Sequence, residues 1–164
     1  MNDRIDVRAA IRRSIFTEKN AMDFYRLAAH EMQNPGARTT FERLAGEERV
    51  HAWWFYRIYR GGDLPTFDVL MEASPAMDSD WLADLEKILR PGLDEADALR
   101  LALDKEQRLE RSLRETAAWI EDNDVRQVYL ANAEATRQHY QMIAEAYARL
   151  TGSSPARPTS SAEE

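Results

Sequence analysis

Glu48 and His51 form a Glu-x-x-His pair. At that spacing two side chains share one face of a helix, with Cβ atoms about 5–6 Å apart, and a carboxylate beside an imidazole is a donor pair for a metal ion. Such a pair is common on exposed helices, so its surroundings decide its meaning. Glu18 lies 16 residues before the Asn34-Pro35-Gly36 break and Glu48 lies 14 after it. At about 1.5 Å per residue both then sit roughly 21 to 24 Å from the turn, at one level of an antiparallel hairpin. The same arithmetic around Asp122 puts Glu106 16 residues before the turn and position 136 14 after it, followed by His139. All these positions fall in the apolar stripe of their helices. Three carboxylates turned into one core repel each other and lose hydration, costing several kcal/mol unless protons or cations intervene. A bound metal, or a buried polar network satisfied by Arg, His and water, would meet that demand.

The elements that must position these residues follow from apolar periodicity. Val7, Ile11, Ile15, Met22, Tyr25 and Ala29 step by threes, fours and sevens, which predicts an amphipathic helix from about Asp6 to Met32. Asn34 caps a second helix with Pro35 at its first position, and Phe41, Leu44, Ala45, Ala52, Phe55 and Tyr59 carry it to the Gly61-Gly62 break. A third helix starts near Asp94 and runs through Leu99, Leu103, Leu113, Ala117 and Ile120. The Asp122-Asn123-Asp124 cluster turns it into a fourth, which runs to Gly152. Between the second and third, Asp63 to Leu93 form a crossover long enough to traverse a bundle, with a short amphipathic segment around Trp81 to Leu89. Residues 1–151 are expected to form one domain. Residues 152–164, rich in Ser and Pro and without an aliphatic side chain larger than alanine, read as a disordered tail.

Shifting the chain by 88 residues pairs Glu18 with Glu106, Phe41 with Tyr129, Arg49 with Arg137, His51 with His139 and Tyr59 with Tyr147, giving 10 identities in 54 positions from Val7 to Arg60. The two hairpins therefore read as copies, and the fold class is all-α: a four-helix bundle of two pseudo-repeated hairpins joined by a long crossover that contains a short helix.

Composition narrows the chemistry. With no Cys, disulfides, thiolate metal sites, thiol nucleophiles and iron–sulfur clusters are excluded, which fits a reducing compartment. The formal net charge is −7 and no Lys/Arg block stands apart from acidic neighbours, so neither nucleic acid nor an anionic membrane is an expected partner. The first fifteen residues lack the apolar core of a secretory signal and no run of apolar residues is long enough to span a bilayer, so the cytoplasm is the expected location. Trp53-Trp54-Phe55-Tyr56 covers more than one helix face, which favours a homodimer interface over a small-molecule site. His30, in a charged stretch near a helix end, reads as surface, and Glu47, Glu110 and Glu134 read as solvated-face residues.

The motifs Glu18-x-x-Ala-x-x-x-Tyr25, Phe41-x-x-Leu44-Ala45-x-Glu47-Glu48-x-x-His51, Glu106 and His139 resemble the rubrerythrin branch of the ferritin-like proteins, over nearly all of Ile11 to Leu150. The resemblance implies a ferritin-like bundle holding two metal ions, iron with manganese or zinc as alternatives, on Glu18, Glu48, His51, Glu106 and His139. It implies iron handling or a reaction with oxygen or peroxide, of ferroxidase or peroxidase type. Tyr25 would be either a hydrogen-bond donor to a ligand carboxylate or an ordinary core tyrosine. The chain departs from the pattern at Thr136, where the family's second Glu-x-x-His has its Glu. Three carboxylates leave two divalent ions with a residual positive charge, which Glu110, one turn beyond Glu106, a bridging hydroxide or an outside anion could balance; one bound metal is the other outcome. The rubredoxin-like module that supplies electrons in many members needs cysteines and cannot be present here, so catalysis would need an external electron donor. The alternative is a non-catalytic descendant that binds one metal or none and serves as a sensor, carrier or interaction module.

Overall fold

The computed structural model describes residues 5–155; the expected tail lies, from residue 156 onward, outside the described residues. The elements are α1 (Val7–Glu31), α2 (Pro35–Tyr56), α3 (Phe67–Glu72), α4 (Asp80–Leu89), α5 (Glu95–Trp119) and α6 (Asn123–Thr151). Each long helix begins on a side-chain cap that satisfies an otherwise orphaned N–H. The Asp6 carboxylate accepts from Ala9 N, Asn34 from Ala37 N, Asp94 from Asp97 N, and Asp122 from Asp124 N and Val125 N. Gly152 ends α6 at φ 73°, in the left-handed region that glycine occupies without strain.

α1 packs on α2 and α5 on α6, and the two hairpins meet chiefly through α2 and α6. The crossover carries the chain from one end of the bundle to the other. At one end the Glu95 carboxylate accepts from Gln33 N and Asn34 N at 2.7 and 2.8 Å, fixing the start of α5 beside the α1–α2 turn. At the other, Arg12 Nε donates to Asp63 at 3.3 Å, so the residues after α2 return to the start of α1. The crossover contains two short helices rather than one. α4 presents Trp81, Leu82 and Leu85, all buried, to the core and packs against both α1 and α5. Trp81 meets Phe24 edge to face with centroids 5.3 Å apart. α3, which the sequence pattern does not reveal, buries Leu70 and Met71. Two buried lysines hold this strap in place: Lys19 pairs with Asp23 and donates to Ala73 O at 2.8 Å, and Lys105 donates to Asp80 O at 2.6 Å and to Asp84 at 2.7 Å.

α2 stops at Tyr56, short of the Gly61-Gly62 break expected to end it. Its last turn tightens: Ile58 N bonds to Phe55 O and Tyr59 N to Tyr56 O. The Tyr59 ring then folds over Gly61, where a Cβ would lie 2.0 Å from the hydroxyl oxygen, and donates to Asp63 at 2.6 Å. A side chain at position 61 would displace that ring.

Candidate metal centre

The five residues singled out by level and spacing are all buried in the bundle core: Glu18, Glu48 and Glu106 are 0 % exposed, His139 1 % and His51 4 %. Each comes from the inward stripe of a long helix, Glu18 on α1, Glu48 and His51 on α2, Glu106 on α5 and His139 on α6. The Glu48 carboxylate lies between the two imidazoles, 3.0 Å from His51 Nδ1 and 3.0 Å from His139 Nδ1. Ligand atoms of these three lie within 4.8 Å of one another. The two rings stack with centroids 4.9 Å apart. Glu106 Oε1 lies 3.7 Å from His139 Nδ1 and accepts the Tyr25 hydroxyl, so Tyr25 is a donor to a cluster carboxylate as well as a core ring.

Charge is badly balanced in this core. Neither oxygen of Glu18 has a hydrogen-bond partner, and Glu106 Oε2 has none. Burial and the neighbouring Glu48 carboxylate raise the Glu18 pKa well above the usual range, and the same two causes push Glu106 up to about 7. Burial works to raise Glu48 as well, but His139 and His51 outweigh it and hold Glu48 well below the ordinary value. For His139 burial works to lower the pKa, and Glu48 and Glu106 reverse that, raising it to about 11. Acceptors turned inward without donors, beside imidazole nitrogens, are the donor set that a divalent cation satisfies and that a protein N–H here does not. The residues present therefore fit a metal ion.

These shifts give the metal-free protein a definite pH dependence. Glu106 binds its proton more tightly folded than unfolded, so its contribution is complete below about pH 4.5 and is lost as the pH rises through about 7. His139 acts in the same direction, with its contribution complete below about 6.5 and declining above it. Urea denaturation of EDTA-treated protein should therefore show stability falling by about 3–5 kcal/mol between pH 4.5 and 8. Glu106→Gln should flatten the profile below pH 7, and a wild-type profile that rises across this range would contradict the assignment.

The remaining candidates fall elsewhere. Glu110 pairs with Arg114 at 2.9 Å, and Glu134 lies 3.5 Å from the same guanidinium. His30 is exposed at the end of α1. Thr136 is buried in the core, with its hydroxyl turned back to Asn132 O at 2.8 Å, and Asn132 Oδ1 beside it on α6 is a further buried acceptor without a donor. Of the aromatic run, Phe55 enters the core against Tyr129, Trp54 lies against the His51 ring at 5.1 Å, and Trp53 and Tyr56 pack on Phe67 of α3.

Glu47 corrects the solvated-face reading. Its Oε2 is 2.9 Å from His139 Nε2, while Oε1 accepts from Arg43 at 2.8 Å. His139 is thus held at both ring nitrogens by carboxylates of α2, Nδ1 toward the core and Nε2 toward the surface. An outer carboxylate on the distal nitrogen fixes the orientation of a ligand imidazole. It also brings a fourth negative charge to the cluster that lacks a carboxylate at 136. The signal is faint in sequence, because Glu47 is merely adjacent to a motif residue; the 88-residue shift pairs it with Ala135, so His51 has no such partner from α6.

A family model described as Rubrerythrin matches residues 10–147. The chain belongs to the rubrerythrin family. Searches among curated proteins and solved structures return no match. The core is lopsided: α2 contributes Glu47, Glu48 and His51 to the cluster, and α6 contributes only His139. Among the described residues no helix is long and apolar enough to cross a membrane.

Proposed function

We propose that Glu18, Glu48, His51, Glu106 and His139 hold iron, two ions at full loading, and that the protein handles iron or reacts with oxygen or peroxide. The observation that carries this reading is the convergence of three buried carboxylates and two imidazoles in one core, with Glu18 wholly unpartnered. Bound iron supplies electrons to oxygen or peroxide. The protein's own groups do the rest. Tyr25 holds a hydroxyl proton against Glu106, Glu47 fixes His139, and Trp54 walls off the His51 ring. With no cysteine in the chain, electrons for repeated turnover come from a separate donor. We place the protein in the cytoplasm as a homodimer, with the exposed Trp53 of the aromatic run at its contact. Thr136 favours a second reading, in which one metal or none is bound and the protein is a sensor, carrier or interaction module.

Elemental analysis of protein purified without added metal separates the two. About two irons per chain support the leading reading; one zinc or no metal supports the second. Iron-loaded protein is expected to oxidise Fe(II) slowly with oxygen or peroxide and to turn over peroxide only with an added reductant. Fast peroxide reduction sustained by the protein and NADH alone would contradict this.

A further inference from the structure

α1 and α2 pack against each other on either side of the Asn34-Pro35-Gly36 turn and leave between them an open groove of about 440 Å3. Sites for small molecules occupy about 300–1,000 Å3. Residues equally far from Asn34 along the two helices face each other across the groove. His30 and Arg38 are four residues away, Arg26 and Glu42 eight, and Met22 and Gly46 twelve. The groove is therefore charged toward the turn and apolar about 12 Å further along, at about 1.5 Å per residue. Ala29 and Ala45, both buried, floor it between these ends. Arg49 closes the apolar end and is held there by Asp68 of α3 at 2.8 Å.

The charged end is cationic in a chain whose formal net charge is −7. Glu42 is the one carboxylate of the lining, and Arg38 Nε on its own helix already holds it at 3.0 Å. Arg26 and His30 are exposed and make no ion pair among the described residues. A concave site lined mainly by one sign of charge focuses its field and draws the opposite ion. The apolar end carries a second, independent signal. Gly46 lies in the interior of α2, where glycine weakens a helix, yet a Cβ added there would meet nothing within 4 Å. No packing among the described residues calls for glycine at that position. What its missing side chain provides is a flat floor on which an apolar body can lie close to the helix backbone. We propose that the groove binds a small organic anion, its carboxylate or phosphate head between Arg26, His30 and Arg38 and its apolar body on Met22, Ala45 and Gly46. The site is separate from the buried Glu and His core and does not depend on what that core binds.

Titration calorimetry of the full chain with 1-naphthyl phosphate tests the site, because inorganic phosphate then offers the head alone and 1-naphthol the body alone. Naphthyl phosphate should bind at least about tenfold more tightly than either part. 1-Naphthoate distinguishes the two heads: tighter binding than naphthyl phosphate assigns the site to carboxylates, weaker binding to phosphates. Arg26→Gln removes an exposed cation that no ion pair engages, and should weaken naphthyl phosphate about tenfold, the worth of one hydrogen bond to a charged group. Glu42→Gln removes the one negative charge of the lining and should tighten binding about threefold. Gly46→Leu fills open space, so the melting temperature should not fall, while naphthyl phosphate drops to the affinity of inorganic phosphate. Metal content should be the same in all three variants. Equal affinity for naphthyl phosphate and inorganic phosphate in the parent protein means an adventitious ion only and overturns the proposal. So does binding that ignores Arg26→Gln or Gly46→Leu, or no binding of either naphthyl anion.

Discussion

Replacing His51 and His139 together by Ala is expected to abolish tight binding of divalent metal and, with it, the response of the melting temperature to EDTA. A ligand present at 100 times its Kd stabilises the native state by about 2.7 kcal/mol. For a chain of this size each kcal/mol moves the melting temperature by about 2–4 °C. Chelation should therefore lower the midpoint of the parent protein by about 5–10 °C and leave that of the double variant in place. The comparison must be made within each variant, because the substitutions also remove the two imidazoles that face Glu48 and so weaken the metal-free fold. His30→Ala, at an exposed position, should behave like the parent. Glu47→Gln should fall between, weakening metal binding about 10- to 100-fold, since it keeps every inner ligand and loses the carboxylate that fixes His139. Parent-like affinity in the double histidine variant would remove the basis of the metal assignment.

Thr136→Glu is expected to act in opposite directions on the metal-free and metal-bound protein. Thr136 is buried one turn before His139 and its hydroxyl bonds only to its own helix, so a Glu there adds a carboxylate to a core already crowded with unpartnered ones. Without metal this should destabilise the fold by about 3 kcal/mol at neutral pH. With metal it restores the Glu-x-x-His of α6, and the metal stoichiometry measured by titration should move toward two per chain. Glu47 makes the prediction sharper. If its charge stands in for the missing inner carboxylate, Glu47→Gln should weaken metal binding in the parent and cost much less in the Thr136→Glu background. Additive losses would show that Glu47 acts on His139 alone. Glu110→Ala should leave metal content unchanged, because Glu110 is tied to Arg114 on the same helix. If Thr136→Glu alters neither metal-free stability nor stoichiometry, position 136 does not face the metal-binding core.

The sequence by itself determined the four long helices and the level at which the candidate ligands meet. Asn34 was legible as a cap, Asp6, Asp94 and Asp122 stand at the expected helix starts and turn, and the periodicity of α1, α5 and α6 survives almost residue for residue, because capping and amphipathic burial are local. The 88-residue repeat predicts that Glu18 and Glu106, and His51 and His139, occupy related positions, and all four are buried in the core. Local pattern did not determine α3, which is too short for a period, or the early end of α2, where the chain passes into tighter i→i−3 turns after Tyr56. The part Glu47 plays was equally out of reach. Its place on α2 next to Glu48 assigns it to the outer face by periodicity, and only the angle at which α6 lies against α2 brings His139 Nε2 to its carboxylate. The groove between α1 and α2 is likewise a property of two packed helices and not of either alone. A single chain's spacing fixes which face each residue shares with its own helix; which faces meet, and how closely, is decided by packing between elements.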